Sequence, residues 1–365
     1  MTVPAVRSQK QDERAGTTVE PMQTKVKIED AVGMILSHDI TEIIPGERKG
    51  PAFRKGYKIR QADLCHLQRL GKRHLYVLDI QKGWLHEDEA VMAMAKAFCG
   101  PGVRWSGKPA EGKLRLTAAY DGLLSVNVEA LKRVNMLGWV MCASRHTHTM
   151  VQKDDPVAAT RAIPLVIESN IVDEAVRIGE EQNGLFAVNR LKKTRVGIIV
   201  TGNEVFSGLI QDRFEAVLRP KITQIGSTVE EVIYAPDDPA FIEREIRRFI
   251  DDGIDLILTT GGMSVDPDDV TRNAVAKAGG TDLTYGAAVL PGAMFMIAYI
   301  GSVPVMGVPA CGIYHEATLL DLVLPRVLAG ERIGREEIAA LGHGGLCLDC
   351  PECRYPQCPF GKGGV

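Results

Sequence analysis

Two short apolar runs, sixty residues apart counted from Arg195 to Asp255, constrain this chain more than any other feature. They are Arg195-Val-Gly-Ile-Ile-Val-Thr-Gly-Asn-Glu204 and Asp255-Leu-Ile-Leu-Thr-Thr-Gly-Gly-Met-Ser-Val-Asp-Pro-Asp-Asp-Val-Thr271, and each ends abruptly in small, polar and acidic residues. Continuous apolar runs of this length, bounded by Gly, read as strands buried on both faces of a parallel sheet. Ligands of open α/β sheets sit just beyond the carboxyl ends of such strands. Thr201-Gly202-Asn203-Glu204 and Thr259-Thr260-Gly261-Gly262-Met263-Ser264 are therefore expected to line one crevice, with backbone N–H groups and hydroxyls available to an anion.

The neighbouring sequence extends the pattern. Between Lys192 and about Gly330 the spacing predicts strands over 196–200, 229–234, 254–258 and 303–308. It predicts helices over 213–224, 238–251, 267–278 and 315–328, with Pro220 kinking the first or ending it early. Strands alternating with helices of this length give the fold class: α/β, a parallel sheet with helices on both faces. Upstream, residues 25–99 read as an α+β module, with a helix from Gln61 to Gly71 and a strand at 74–78. Residues 100–190 read as a β-rich module, its strands including 114–119, 124–128, 139–144 and 160–167, closed by a linker helix over 168–183. The whole is divided as a disordered leader (1–24), those two modules, a ligand-binding domain (191–332) and a Cys-rich tail (333–365).

Bulk properties narrow the function. The chain has 365 residues, is 45% hydrophobic and carries a formal net charge of −3. That is ordinary for a globular protein, and no basic field argues for nucleic acid. No apolar stretch reaches the roughly 20 residues that span a bilayer. The polar N-terminal segment lacks the apolar core of a signal peptide, so a cytoplasmic location is expected.

These residues resemble the molybdenum-cofactor biosynthesis superfamily, the molybdopterin-binding fold of molybdopterin molybdotransferases, adenylyltransferases and gephyrin domains. The resemblance covers about Lys192 to Gly330. Thr201-Gly-Asn-Glu204 resembles the family's Thr-Gly-Asp-Glu, and Gly208-Leu-Ile-Gln-Asp-Arg-Phe214 the segment opening the next helix. Asp237-Asp238 follows the second strand. Thr260-Gly-Gly-Met-Ser-Val-Asp-Pro-Asp-Asp269 resembles the Gly-Gly-x-Ser-x-Gly-x-x-Asp loop. Pro291-Gly292 and Val305-Met-Gly-Val-Pro309 fall where later family loops belong. There are three departures: Pro309-Ala-Cys-Gly312 replaces Pro-Gly-Asn-Pro, no Lys follows Pro291-Gly292, and Asp266 stands at a loop glycine. The N-terminal half is only loosely similar to the molybdotransferase front end.

The resemblance implies molybdopterin as ligand or substrate. Its terminal phosphate would lie at Gly261, Gly262 and Ser264, with Thr201, Gly202, Asn203, Thr260, Pro291, Gly292 and Pro309 completing the site. Carboxylates in such a crevice hold a divalent cation such as Mg²⁺, or place molybdate and shuttle protons. Glu204, Asp269 and Asp238, or its neighbour Asp237, are the candidates. The function expected is molybdate insertion into molybdopterin, a transferase activity, or handling of that cofactor. The alternatives are a non-catalytic carrier or sensor and a nucleotide pyrophosphate hydrolase. A homo-oligomer is implied, with a molybdoenzyme or another cofactor-biosynthesis protein as a further partner.

The second strong signal is Cys347-x-x-Cys350-x-x-Cys353-x-x-x-x-Cys358-Pro359, which holds four of the eight cysteines. Thiols at this spacing converge on one metal: a [4Fe–4S] cluster, whose run this approximates with one extra residue in the last gap, or a four-thiolate Zn²⁺. The polar surroundings suggest that metal orders the tail. Isolated residues carry weaker signals. Cys311 and His315 stand near the last loop. His146 and His148 are spaced to share one face of a strand. Arg48, Lys49, Arg54, Lys55 and Lys58 make a basic segment, read chiefly as a solvated face.

Overall fold

The computed structural model describes residues 23–44, 48–78, 80, 82–262 and 270–363. Its largest sheet has six strands in the order Thr228–Ala235, Arg195–Thr201, Leu256–Thr260, Val303–Val308, Met296–Ile300 and Thr281–Tyr285. The first four are parallel; the last two run antiparallel at one side. Alternating side chains along each strand feed two cores. On one face Val196, Ile198, Val200, Leu256, Leu258, Met306 and Val308 pack beneath helices Phe214–Gln224 and Leu319–Leu328. On the other, Ile199, Ile257 and Val305 meet Ile246 and Phe249 of Pro239–Asp251 and Ala274 and Val275 of Val270–Lys277. Each such fully buried aliphatic side chain contributes roughly 1.5–3 kcal/mol. The α/β class and the helices on both faces are as the residue pattern requires.

Two boundaries differ informatively. Pro220 sits inside helix Phe214–Gln224 without ending it. The helix expected over 315–328 starts at Leu319, where Thr318 and Asp321 form a capping box, so His315 lies in the preceding loop, and a further helix, Arg335–Ala340, follows. The expected start of the 267–278 helix lies outside the described residues; helix is seen over Val270–Lys277.

Upstream, Ile28, Leu36, Ile59, Leu67, Leu75 and Val77 form a small core of their own. It is framed by a sheet in the order Gln23–Lys27, His74–Leu78, Ile35–Leu36. Gln23 and Thr24, assigned to the leader, thus belong to a strand, while residues 1–22 lie outside the description. A larger core spans residues 90–188. There helices Glu87–Phe98 and Ser169–Glu181 pack beside an antiparallel sheet in the order Val140–Ser144, Pro156–Ala162, Lys113–Ala118, Val103–Ala110. The strand expected over 160–167 is two: it breaks around Pro164, and Val166–Glu168 pairs instead with Trp84–His86. Among the described residues no helix is long and apolar enough to cross a membrane.

Candidate functional site

The register brings the site loops together. Val200 pairs with Thr260 and Thr260 with Val308, so three parallel strands end level with one another. Met296, which begins an antiparallel strand, pairs with Gly307. The segments starting at Thr201, Gly261 and Pro309 and the one ending before Met296 therefore emerge at one edge of the sheet, on neighbouring strands roughly 5 Å apart.

At the centre of that edge Gly261 and Gly262 turn the chain with φ of 77° and 57°. A Cβ on Gly261 would stand 2.4 Å from the Thr201 carbonyl oxygen, and one on Gly262 would stand 2.5 Å from Thr271 Oγ1. Only glycine fits either place. Hydroxyls secure the turn from both sides: Thr201 Oγ1 donates to the Thr260 carbonyl at 2.8 Å, and Thr271 Oγ1 to that of Gly261 at 3.1 Å. The Thr260 hydroxyl is buried directly before this turn and has no hydrogen-bond partner among the described residues. A buried orphan of this kind is costly and asks for an explanation. Ser264 and Asp269 lie outside the described residues.

The expected carboxylates differ in their commitments. Glu204 is exposed, and its carboxylate folds back to 3.5 Å from where a Cβ on Gly202 would be. Asp237 accepts from the Asn203 N–H and Asn203 Oδ1 from the Asp237 N–H, both at 3.1 Å, which staples the first loop to the second. Asp238 is the N-cap of helix Pro239–Asp251, its Oδ1 accepting from the Ala240 N–H at 2.9 Å. It serves the helix start, as short acceptor side chains commonly do.

At the end of the neighbouring strand, beyond Val308, lies a cavity of about 510 Å³, walled by the Leu290–Met294 segment, by Pro309, Ala310, Cys311 and His315, and by Leu346, Cys347 and Asp349 of the tail; Thr201, Gly261 and Gly262 are not among its walls. Gly292, with φ of 129°, lies so close to Leu319 that a Cβ would sit 2.6 Å from the Leu319 Cβ. Burial pushes the Cys311 thiol pKa up, opposed by backbone N–H groups of Cys311, Gly292 and Gly312 around its sulfur. Leu346 and Asp349 were missed as wall residues. Their role depends on the tail returning to Leu290, a long-range contact with no local signal.

The tail is built differently from expectation. Phe360 is 3% exposed within the main core, and the Tyr355 hydroxyl donates to the Asp321 carbonyl at 3.2 Å. Aromatic anchoring, overlooked among polar residues, thus holds the segment on the fold. Among the described residues no three His, Cys, Asp or Glu side chains are placed to hold one metal ion. His146 and His148 do not share a strand face. They sit in a turn where His148 has φ of 59° and pairs with Glu331 at 3.3 Å. In the basic segment Arg54 pairs with Glu111 and Lys58 with Glu89, as a solvated face does.

Residues 197–329 match the family model described as a "probable molybdopterin binding domain", which supports the molybdopterin-binding superfamily for this part of the chain. Residues 25–79 match a second model, described as a domain of unknown function. Among individual relatives, a "CinA-like protein" of Mycolicibacterium vanbaalenii is 37% identical over 95 residues, which are 26% of this chain and 22% of that protein. The Mycobacterium tuberculosis counterpart is 36% identical over 89 residues, 24% of this chain and 21% of the other, so the chain spans only about a fifth of either relative. Of solved structures, the molybdopterin biosynthesis Mog protein of Mycobacterium ulcerans is 18% identical with a TM-score of 0.31, over 37% of this chain and 92% of that one.

Proposed function

We propose that this chain binds molybdopterin at the sheet edge and acts in molybdenum-cofactor biosynthesis, at molybdate insertion or handling of the cofactor. The observation that carries the reading is the Thr201–Gly261–Gly262 junction, where two strand ends touch without room for a Cβ. Such a turn leaves backbone N–H groups free to meet a phosphate closely. In this reading the phosphate lies at Gly261, Gly262 and Ser264, near Thr201, Gly202 and Asn203, with the buried Thr260 hydroxyl beneath. The pterin occupies the cavity beside Pro291, Gly292 and Pro309, whose size suits a small ligand. Bound molybdopterin supplies the dithiolene that takes up molybdenum. Glu204 and Asp269 place molybdate or Mg²⁺.

The engagement of Asp237 with Asn203 and of Asp238 with the helix start favours a second reading. With two carboxylates committed to structure, the chain binds the cofactor as a carrier or sensor without turning it over. Large exposed side chains around this edge, Leu209 at 79% and Tyr314 at 72%, fit a second copy of the chain or a partner of the same pathway.

The test is titration of purified protein with molybdopterin, followed by molybdate and Mg²⁺. Binding that Asp269→Asn weakens supports the cofactor site, and conversion of added molybdate then separates enzyme from carrier. No binding, together with turnover of an adenine nucleotide, would sink the reading and promote pyrophosphate hydrolysis.

A further inference from the structure

The cysteine tail is the one strong motif that the cofactor reading leaves unused. Cys347, Cys350, Cys353 and Cys358 all line a second cavity of about 160 Å³, together with His315, Tyr355 and Phe360. This cavity adjoins the larger one, for His315, Cys347 and Asp349 are walls of both. Cys347 is also tied to the ligand edge through the backbone. Its N–H donates to the Leu290 carbonyl at 2.8 Å, and the Leu290 N–H donates to the Gly345 carbonyl at 2.8 Å. Leu290 immediately precedes Pro291 and Gly292. Downstream the motif is fixed by Phe360 in the core, by Tyr355 on Asp321, and by the Gly361 N–H donating to the Gly344 carbonyl at 2.9 Å. The segment is therefore a loop held at both ends. Cys347 and Cys358 are half-buried at its base, and Cys350 and Cys353 are exposed between them.

We propose that these four thiols close on one thiolate-seeking metal centre, and that loading this centre reshapes the cavity beside Pro291 and Gly292. As placed, no three ligand-type side chains among the described residues stand together around one ion, so loading requires the exposed Cys350 and Cys353 to close onto Cys347 and Cys358; the shared cavity, the two C-x-x-C steps and the fixed loop ends argue that they can. Each thiol loses its proton on ligation, so a divalent ion entering four thiols releases four protons. A single Zn²⁺ and an iron–sulfide cluster share this chemistry. Because Cys347 belongs to both cavities and is hydrogen-bonded to Leu290, drawing its sulfur toward Cys350 and Cys353 pulls on the wall of the larger one. What that cavity binds rests on the proposed cofactor site; the metal centre does not.

The experiment uses the full chain, stripped of metal and reloaded anaerobically with Zn²⁺ alone or with Fe²⁺, Fe³⁺ and sulfide. Metal content, the optical spectrum and iodoacetamide labelling of Cys311, read by peptide mass, are then measured. About one centre per chain is expected. A featureless spectrum marks zinc, and a broad visible band marks the cluster. Cys350→Ser and Cys353→Ser should abolish loading, while Cys65→Ser, an exposed thiol far from the tail in sequence, should not. A circular-dichroism melt checks that the variants fold. Loading should change Cys311 labelling severalfold. Metal uptake unaffected by both tail variants, or none at all, overturns the centre. Uptake with unchanged Cys311 labelling overturns its coupling to the cavity. Molybdopterin titration of the metal-free protein reports on the cofactor site separately.

Discussion

Gly261 stands where the ends of two strands come closest, and its role is fixed by what it lacks. In Gly261→Ala the new methyl group meets the Thr201 carbonyl at 2.4 Å in a backbone region that disfavours side chains. Strain of that kind costs about 1–3 kcal/mol. The variant should unfold at correspondingly lower urea and bind molybdopterin more weakly; unchanged stability and binding would show that the turn yields freely. These positions were readable because Thr-Gly-Gly after an apolar run has a single sensible place in a parallel sheet. Asp237 and Asp238 were harder to read. A carboxylate after a strand looks the same in sequence whether it caps a helix, staples a loop or meets a ligand, and the capping and stapling bonds to Ala240 and Asn203 are seen only in the structure. Cys311 could be placed near the last loop, but its surrounding backbone N–H groups come from Gly292 as well, out of reach of any local pattern.

The four parallel strands and their helices in the 195–328 region follow from apolar runs and helical spacing, most clearly for the central strands that are covered on both faces, whereas the antiparallel pair Thr281–Tyr285 and Met296–Ile300 had no expectation. Upstream the signal is weaker. The helix Val128–Asn135 and the strand Val103–Ala110 had no expectation at all. The strand is short of apolar residues because only Val103 in it is buried. The tail shows the opposite error, since a segment dominated by Cys, Pro and Gly conceals two aromatic residues, Tyr355 and Phe360, that fix its position. Phe360→Ala should cost about 3–5 kcal/mol if the site cannot collapse. Limited proteolysis should then cut within 346–360 well before the rest of the chain. Resistance equal to that of the parent protein would mean that other contacts hold the tail.

At the scale of the whole molecule, the upstream unit meets the next through the apolar cluster of Ile35, Leu78 and Val166 and through polar contacts beside it, and Glu87 is one of the latter. It opens helix Glu87–Phe98, close to Gly56 of the small upstream core and to Gly112 of the larger one. Burial raises its pKa from 4.5 to about 6, with Asp88 adding to the effect. The folded state therefore binds this proton more tightly than the unfolded chain does. Stability from this group is full below pH 4.5 and is lost as pH rises to about 6. Glu87→Gln should accordingly raise the melting temperature at pH 7 relative to the parent and lose that difference at pH 4; a difference independent of pH would refute the assignment. The same view of the molecule shows where its ligand choice can be altered. Gly261, Gly262 and Gly292 define the chain path by leaving no space to fill, so none of them offers a position for a new contact. Any change in what the cavity accepts has to work instead through wall residues that carry larger side chains, such as Met294, Cys311, His315, Leu346 and Asp349.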